Sequence, residues 1–434
     1  MKRSKLIFAF VLALALCFSG IVTAFAESPK GTPGTAAKPA EAAITKLLKT
    51  PVGTQIPETK FKFLVTSVTV DGIAATASNM PLIGTDAEKP GVVAGIVSIP
   101  FLGTESATPI NGIMTIPVES DDIFAGAKGN WPHAGVYVYT VEEVPDTYTI
   151  ADADHEIMNY SPAKYTLNVY VKDDAGVYYI WLIGAVVTTK DDDAQETNVK
   201  INVTPGGGDD ETLEYSQMTF TNRYVHTNGG TDPKLPENAT LAVSKKVEGE
   251  FGSSSIYFRY ELTLKNPTIT TTPALPTSYK GYVVADGQIV TTTENGAAAG
   301  NNYIDFPVDT KTEFKLKDGQ SLVFINTPVG TQYDVEEFGT TAYEAELSIT
   351  SNGVTESTPI VGSTLGAGVF AIGKLVGEAA NKAAFKNTRG DVTPTGLNLN
   401  DIPFIGLIAL ALSAIAFFVV IKLRRRNNYN QANL

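Results

Sequence analysis

Cys17 is the only cysteine in 434 residues, and it sits in an N-terminal apolar run, Leu6 to Val22. Met-Lys-Arg-Ser-Lys precedes that run and Ala24-Phe25-Ala26 follows it. A short basic region, an apolar core and a small-x-small site predict a secretory signal peptide over residues 1–26, cut between Ala26 and Glu27. Leu16 stands where a lipoprotein signal needs a small residue before its cysteine, which excludes that reading of Cys17. The exported chain then has no cysteine at all. Exported domains commonly rely on disulfides, so this one must draw stability from its cores or from a different crosslink.

The other end is equally informative. Ile402 to Ile421 is an almost unbroken apolar segment, long enough to span a bilayer. Lys422 and Arg424-Arg425-Arg426 follow at once, placing residues 422–434 in the cytoplasm and the body of the chain outside. A lipid-anchor signal would end in its apolar tail, which the basic stop contradicts. Just upstream, in a stretch of motif and spacer over residues 391–401, lies Val392-Thr393-Pro394-Thr395-Gly396. Pro-Thr-Gly, a short spacer, an apolar span and a basic tail together resemble a sortase sorting signal. That resemblance implies a sortase as partner and cleavage between Thr395 and Gly396. Thr395 would pass to an amine on a peptidoglycan precursor or on another subunit, so the chain spans the membrane only before sorting. Proline beside the threonine departs from the common L-P-x-T-G form and resembles the x-x-P-T-G variant.

Removing both ends leaves about 370 residues, enough for two or three domains. A net charge of −13 opposes nucleic-acid binding and suits a solvated outer surface. Only 18 % of residues are charged, while Thr, Gly, Val, Ala and Pro abound, as in β-rich chains. Residues 27–41 are small, Pro-rich and polar and read as a flexible leader. A second break, residues 226–237, separates a first domain (42–225) from a second (238–390). In the first, alternation predicts strands over Phe61–Val70, Gly135–Val144, Lys164–Lys172 and Gly176–Val187, with Asp173-Asp174-Ala175-Gly176 as a hairpin turn. In the second it predicts strands at Thr240–Val247, Tyr257–Leu264, Glu313–Leu316, Ser321–Asn326 and Gln332–Glu337. Asp318-Gly319 reads as a hairpin, and Gly373–Ala384 is the best helical candidate. The expected fold is all-β, two tandem immunoglobulin-like (Cna-B-like) β-sandwiches.

Both domains repeat one order of residues. A lysine lies on the opening strand, a Tyr-x-Val-x-Glu strand in the middle, and a Phe-x-Asn strand at the end. These are Ile44-Thr45-Lys46, Tyr139 to Glu143 and Phe220-Thr221-Asn222, then Val243-Ser244-Lys245, Tyr333 to Glu337 and Phe385-Lys386-Asn387. Strand alternation selects the inward members. Lys245 shares a face with Leu241, Val243 and Val247, and Lys46 with Ile44 and Leu48. Glu337 shares one with Tyr333 and Val335. Glu143 is chosen over Glu142 by analogy, since Val136 and Val138 leave its strand apolar on both faces. Asn222 lies with Met218 and Phe220, and Asn387 with Ala383 and Phe385. Three polar groups aimed into an apolar core are costly unless they satisfy one another. Burial favours a neutral amine and a protonated carboxyl. A neutral amine held against an amide carbon is a nucleophile at high effective concentration, and a carboxyl beside both can move the protons. The product would be a Lys–Asn isopeptide bond with loss of ammonia.

The arrangement is similar to the isopeptide-linkage domains of streptococcal-type major pilins of Gram-positive bacteria. The resemblance extends through Thr240 to Val247, Lys317-Asp318-Gly319-Gln320-Ser321, Pro328-Val329-Gly330-Thr331 and Phe385 to Gly390. It implies Lys46–Asn222 and Lys245–Asn387 as bond pairs and Glu143 and Glu337 as the autocatalytic acids. It further implies a cell-wall-anchored structural subunit, not an enzyme on external substrates, whose partners are sortase and other pilin subunits. A family subunit also carries an acceptor lysine, which can lie shortly before the first bond asparagine. Glu214 to Thr221 holds none, so Lys200 and the linker residue Lys234 are the substitutes.

Other signals are weak. His133, His155 and His226 lack paired metal spacing and read as surface or loop residues. Asp152 to Glu156 and Asp191-Asp192-Asp193 read as solvated loops without a calcium-loop pattern, and Gly206-Gly207-Gly208 as a hairpin loop without a P-loop lysine. No metal or cofactor is expected. The alternative role is a monomeric wall-anchored adhesin, using the same domains as a stalk or as a head for a host ligand. A surface hydrolase would need a cleft that no residues here supply.

Overall fold

The computed structural model describes residues 30–87, 89, 91–191, 196–290, 292–390 and 402–431. The expected signal peptide, with its expected cut between Ala26 and Glu27, and the motif Val392 to Gly396 lie outside these residues. The described chain is mostly β structure, arranged as two pairs of sheets and followed by one C-terminal helix.

In the first domain, Thr45–Pro51 (the lysine strand) lies parallel to Thr219–His226 (the asparagine strand). Ile113–Glu119 and Glu156–Asn159 flank this pair and complete a four-stranded sheet. The facing sheet has eight strands, centred on Lys164–Asp174, Gly135–Val144 (the acid strand) and Thr59–Val70. Phe61, Phe63, Tyr139, Tyr165 and Phe220 fill the space between the sheets. The turn after Lys164–Asp174 forms as its sequence predicts. Ala175 and Gly176 both take positive φ, 51° and 86°, the twist a two-residue hairpin loop requires.

The second domain repeats the plan. Leu241–Glu248 lies parallel to Lys382–Thr388 within a nine-stranded sheet. The facing sheet orders Thr312–Leu316, Phe258–Lys265, Gln332–Glu337 and Val369–Leu375. Its separate core holds Leu241, Phe258, Tyr260, Phe314 and Phe385.

Three expectations need correction. Gly373–Ala384 is not a helix but the end of one strand and the start of another, with Val369 and Ala371 buried by alternation. Asp318-Gly319 does form a turn, closed by Gln320 N–H donating to Lys317 O at 3.1 Å. It does not make a hairpin, because Thr312–Leu316 and Ser321–Phe324 enter different sheets. The described part of the leader is held to the first domain. Gly34 N–H donates to Trp181 O (2.7 Å) and Ala40 N–H to Ile180 O (2.9 Å), and Ala40 is buried. Small side chains allow that backbone to lie flat on the strand Val177–Thr189, which is what a composition-based reading mistakes for freedom.

The domains meet through a polar junction. His226 Nδ1 lies 2.8 Å from Glu378 Oε2, Gln55 N–H donates to Glu378 Oε1 (2.8 Å), and Val329 N–H donates to His226 O (2.9 Å). Asn159 and Thr272 exchange two further bonds of 2.6 and 2.8 Å. The helix, Ile402–Gln431, contains Ile405–Arg425, long and apolar enough to cross a membrane, with its apolar side chains uncovered by the protein.

Candidate functional site

Each core contains one buried polar set, and the sheet register explains how it assembles. On the parallel pair of the first domain, Lys46 lies opposite Phe220 and Asn222 opposite Leu48. In the second, Lys245 lies opposite Phe385 and Asn387 opposite Val247. The offset is identical, a two-residue step that keeps lysine and asparagine on the same inward face. The acid arrives from the facing sheet. Glu143 is the last inward residue after Tyr137, Tyr139 and Val141, all buried, and Glu337 follows Tyr333 and Val335 in the same manner.

In the first domain Lys46 Nζ lies 2.7 and 2.8 Å from the two oxygens of Glu143. Asn222 Nδ2 donates to Glu143 Oε1 at 2.9 Å. Ser161 N–H donates to Asn222 Oδ1 (2.9 Å) and to Glu143 Oε2 (3.2 Å). Behind it, Asp191 Oδ2 accepts from Ser161 Oγ (3.1 Å) and Thr221 N–H (2.5 Å). In the second domain Lys245 Nζ lies 2.7 Å from Glu337 Oε2, and Asn387 Nδ2 donates to Glu337 Oε1 at 2.5 Å. All six side chains are buried. Phe61 stands 4.7 Å from the Lys46 nitrogen and Phe258 stands 3.8 Å from that of Lys245.

Burial shifts the protonation of these groups. Desolvation lowers both Lys46 and Lys245 to about 8, against the opposing pull of Glu143 and Glu337. Burial raises Glu143 above the usual carboxylate range, although Lys46, Asn222 and Ser161 oppose it. In the first domain a lowered amine thus sits against a raised carboxyl, which narrows the gap between the two as holders of the proton. In the second domain one carboxylate oxygen faces the amine and the other the amide nitrogen, whereas in the first Lys46 reaches both oxygens of Glu143 and shares Oε1 with Asn222.

The lysine, acid and asparagine singled out in the sequence meet in one place in each domain, but their supports were not foreseen. An aromatic-x-aromatic pair opens the second strand of both domains, Phe61/Phe63 and Phe258/Tyr260, and that repeat was available in the sequence. Ser161 carries no sequence signal. Asp191 was expected in a solvated loop and is instead fully buried, because it satisfies Ser161 and the Thr221 N–H beside Asn222. Asp192 and Asp193 lie outside the described residues. His226 is half-buried at the domain junction, not a surface residue. Lys200 is buried at 7 % exposure, whereas the Lys234 side chain is 41 % exposed in the linker. Among the described residues no three His, Cys, Asp or Glu side chains are grouped to hold a metal ion.

Two pairs of facing sheets thus each enclose a lysine, an acid and an asparagine, one buried polar set repeated in two cores. Residues 42–225 match the family described as Spy0128-like isopeptide containing domain, and residues 239–389 match a family described as a domain of unknown function. The chain is homologous to pilins of Streptococcus pyogenes. It is 27 % identical to a pilin of serotype M1 over 183 residues, 42 % of this chain and 48 % of that protein. It is 28 % identical to the pilus tip adhesin Cpa over 116 residues, 27 % of this chain and 14 % of that protein. The chain thus spans about half the length of the curated pilin. Among solved structures it is similar to the major pilin from Streptococcus pyogenes (N168A mutant) at 19 % identity and a TM-score of 0.32, covering 81 % of this chain and 100 % of that one.

Proposed function

We propose that this chain is a structural subunit of a cell-surface pilus whose two domains lock themselves with Lys46–Asn222 and Lys245–Asn387 isopeptide bonds. The observation that carries the reading is the repetition of one constellation, at one register offset, in two separate cores. In each, the neutral lysine Nζ attacks the asparagine Cγ. The new N–Cγ bond forms, the Cγ–Nδ2 bond breaks, and the glutamate takes a proton from Nζ and gives one to Nδ2, which leaves as ammonia. Glu143 and Glu337 emerge unchanged. No external substrate, metal or cofactor enters the balance.

The remainder of the reading rests on the ends of the chain. The signal peptide exports it, the apolar helix holds it in the membrane, and a sortase cuts between Thr395 and Gly396 within Val392 to Gly396. Thr395 is then joined to a lysine of the next subunit or to a peptidoglycan precursor, leaving the protein outside the cell and anchored to the wall. Of the two acceptor lysines, Lys234 is preferred, since Lys200 is buried. The test is the intact mass of the secreted chain, residues 27–395. A deficit of two ammonia molecules is expected, with peptide mapping assigning one to each pair. The unmodified mass in a folded sample would reduce the reading to an anchored β-sandwich protein.

A further inference from the structure

The two sites differ at the residue directly across the sheet from the acid. Glu143 lies opposite Phe63, and Glu337 opposite Tyr260. The two rings otherwise take matching places. Phe63 packs on Phe220 at 4.9 Å and Tyr260 on Phe385 at 5.1 Å, each phenylalanine being two residues before the bond asparagine. The difference is one hydroxyl, and it is not idle. Tyr260 is fully buried, and its hydroxyl donates to Glu337 Oε2 at 2.7 Å, the oxygen that also faces Lys245. Burial holds the Tyr260 phenol well above its ordinary pKa, so it remains a donor.

The first domain supports its acid differently. There a backbone donor, Ser161 N–H, reaches Glu143 Oε2 and also caps the Asn222 carbonyl. In the second domain the buried Asn387 Oδ1 has no protein donor. The Glu337 carboxyl thus depends on a side chain for its orientation.

We propose that Tyr260 is a positioning residue for Glu337 in the crosslinking of the second domain. This inference rests on the isopeptide reading above. By donating to Oε2, Tyr260 fixes the carboxyl plane, with Oε2 held towards Lys245 and Oε1 turned to the Asn387 nitrogen. The proton accepted from Lys245 can then be delivered to the leaving amine. No bond to Tyr260 is made or broken in the reaction. Its ring needs no replacement for packing, because phenylalanine already fills that place in the first domain.

The test is Tyr260→Phe in the full chain, synthesised without cells in the presence of lipid nanodiscs and sampled over time. Crosslinked peptides from the two domains are quantified separately by mass spectrometry, so Lys46–Asn222 serves as an internal control in every sample. The expected result is Lys245–Asn387 formation slowed about tenfold, the scale of one hydrogen bond to a charged group. The first-domain rate is unchanged. A lost packing contact would not move the pH profile, but a lost hydrogen bond to the carboxylate removes support for its charged form. The pH profile of second-domain linkage therefore moves in the variant, while that of the first domain does not. A variant with the wild-type rate and profile would overturn the role of Tyr260 while leaving the crosslink intact. Absence of both bonds from the wild-type chain would overturn the isopeptide reading and this inference with it. Thermal melting of Tyr260→Phe without its bond, compared with Glu337→Gln, shows whether the unlinked domain is folded. Equal melting with slow linkage supports the assignment, and collapse of Tyr260→Phe alone would make the hydroxyl structural and overturn it.

Discussion

At the scale of single residues, the balance between burial and pairing decides what these lysines are for. A lysine and a glutamate enclosed together do not by themselves favour folding, because desolvating both charges can outweigh their attraction. Retaining two such pairs in a chain without disulfides makes sense if the pairs are consumed. A crosslink between Lys46 and Asn222, or Lys245 and Asn387, closes a loop of most of a domain. On chain-entropy grounds each is worth about 5 kcal/mol. Glu143→Gln and Glu337→Gln keep the size of the side chain while removing its ability to accept the amine's proton. Each is expected to retain the ammonia of its own domain only, visible in intact mass and peptide maps. The unlinked domain should melt about 10–20 °C lower, the shift that such a free-energy loss gives a domain of this size. An unlinked domain with unchanged melting would mean that the bond contributes nothing to folding stability.

At the scale of elements, most of what the sequence conceals lies where strands meet something outside their own alternation. The inward residues of the lysine, acid and asparagine strands were legible, since period-two patterning with apolar neighbours specifies a face. Even Glu143, on a strand apolar on both sides, fell to analogy with Glu337. Gly373–Ala384 misled because a short strand, a turn and a second strand imitate a weak helical period. Sheet membership around Asp318-Gly319 was hidden because a turn signal does not say which sheet the chain enters next. Asp191 and His226 were invisible for the same reason, as their partners Ser161, Thr221 and Glu378 are remote in sequence. His226 illustrates the consequence. It lies against Glu378 from the second domain and opposite Glu156 on the neighbouring strand, with the Tyr224 ring stacked at 6.3 Å. The hydrogen bond to Glu378 raises its pKa above the ordinary 6.5, against partial burial. A raised folded-state pKa contributes stability that is complete below the unfolded value and is lost as pH rises through the folded one. Wild-type chain should therefore out-melt Glu378→Gln at about pH 6, with the gap closing by about pH 9. A gap independent of pH would show that the junction holds by shape alone.

At the scale of the whole molecule, the polarity of the strands sets what the chain can be part of. In both domains the lysine and asparagine strands run parallel, and each asparagine strand continues directly into the next segment of chain. Thr219–His226 enters the junction, and Lys382–Thr388 leads out towards the membrane helix. Tension applied between the ends would load the first and last strands of each sandwich, the two that the proposed bonds join. A crosslink there carries force past the hydrogen-bonded sheet, whereas a bond elsewhere would let the outer strands peel. A free-standing adhesin needs this at most once, but a fibre needs it in every subunit, because the weakest domain sets the strength of the whole. If the chain is polymerised, wall extracts should contain a ladder of high-mass species that survives boiling in detergent. Thr395→Ala should abolish that ladder, and Lys234→Arg should reduce it to a single anchored band while leaving both internal bonds in place. A single band from wild-type cells would instead assign the domains to a monomeric adhesin. A ladder unaffected by Lys234→Arg would keep the fibre and move the acceptor to another exposed lysine.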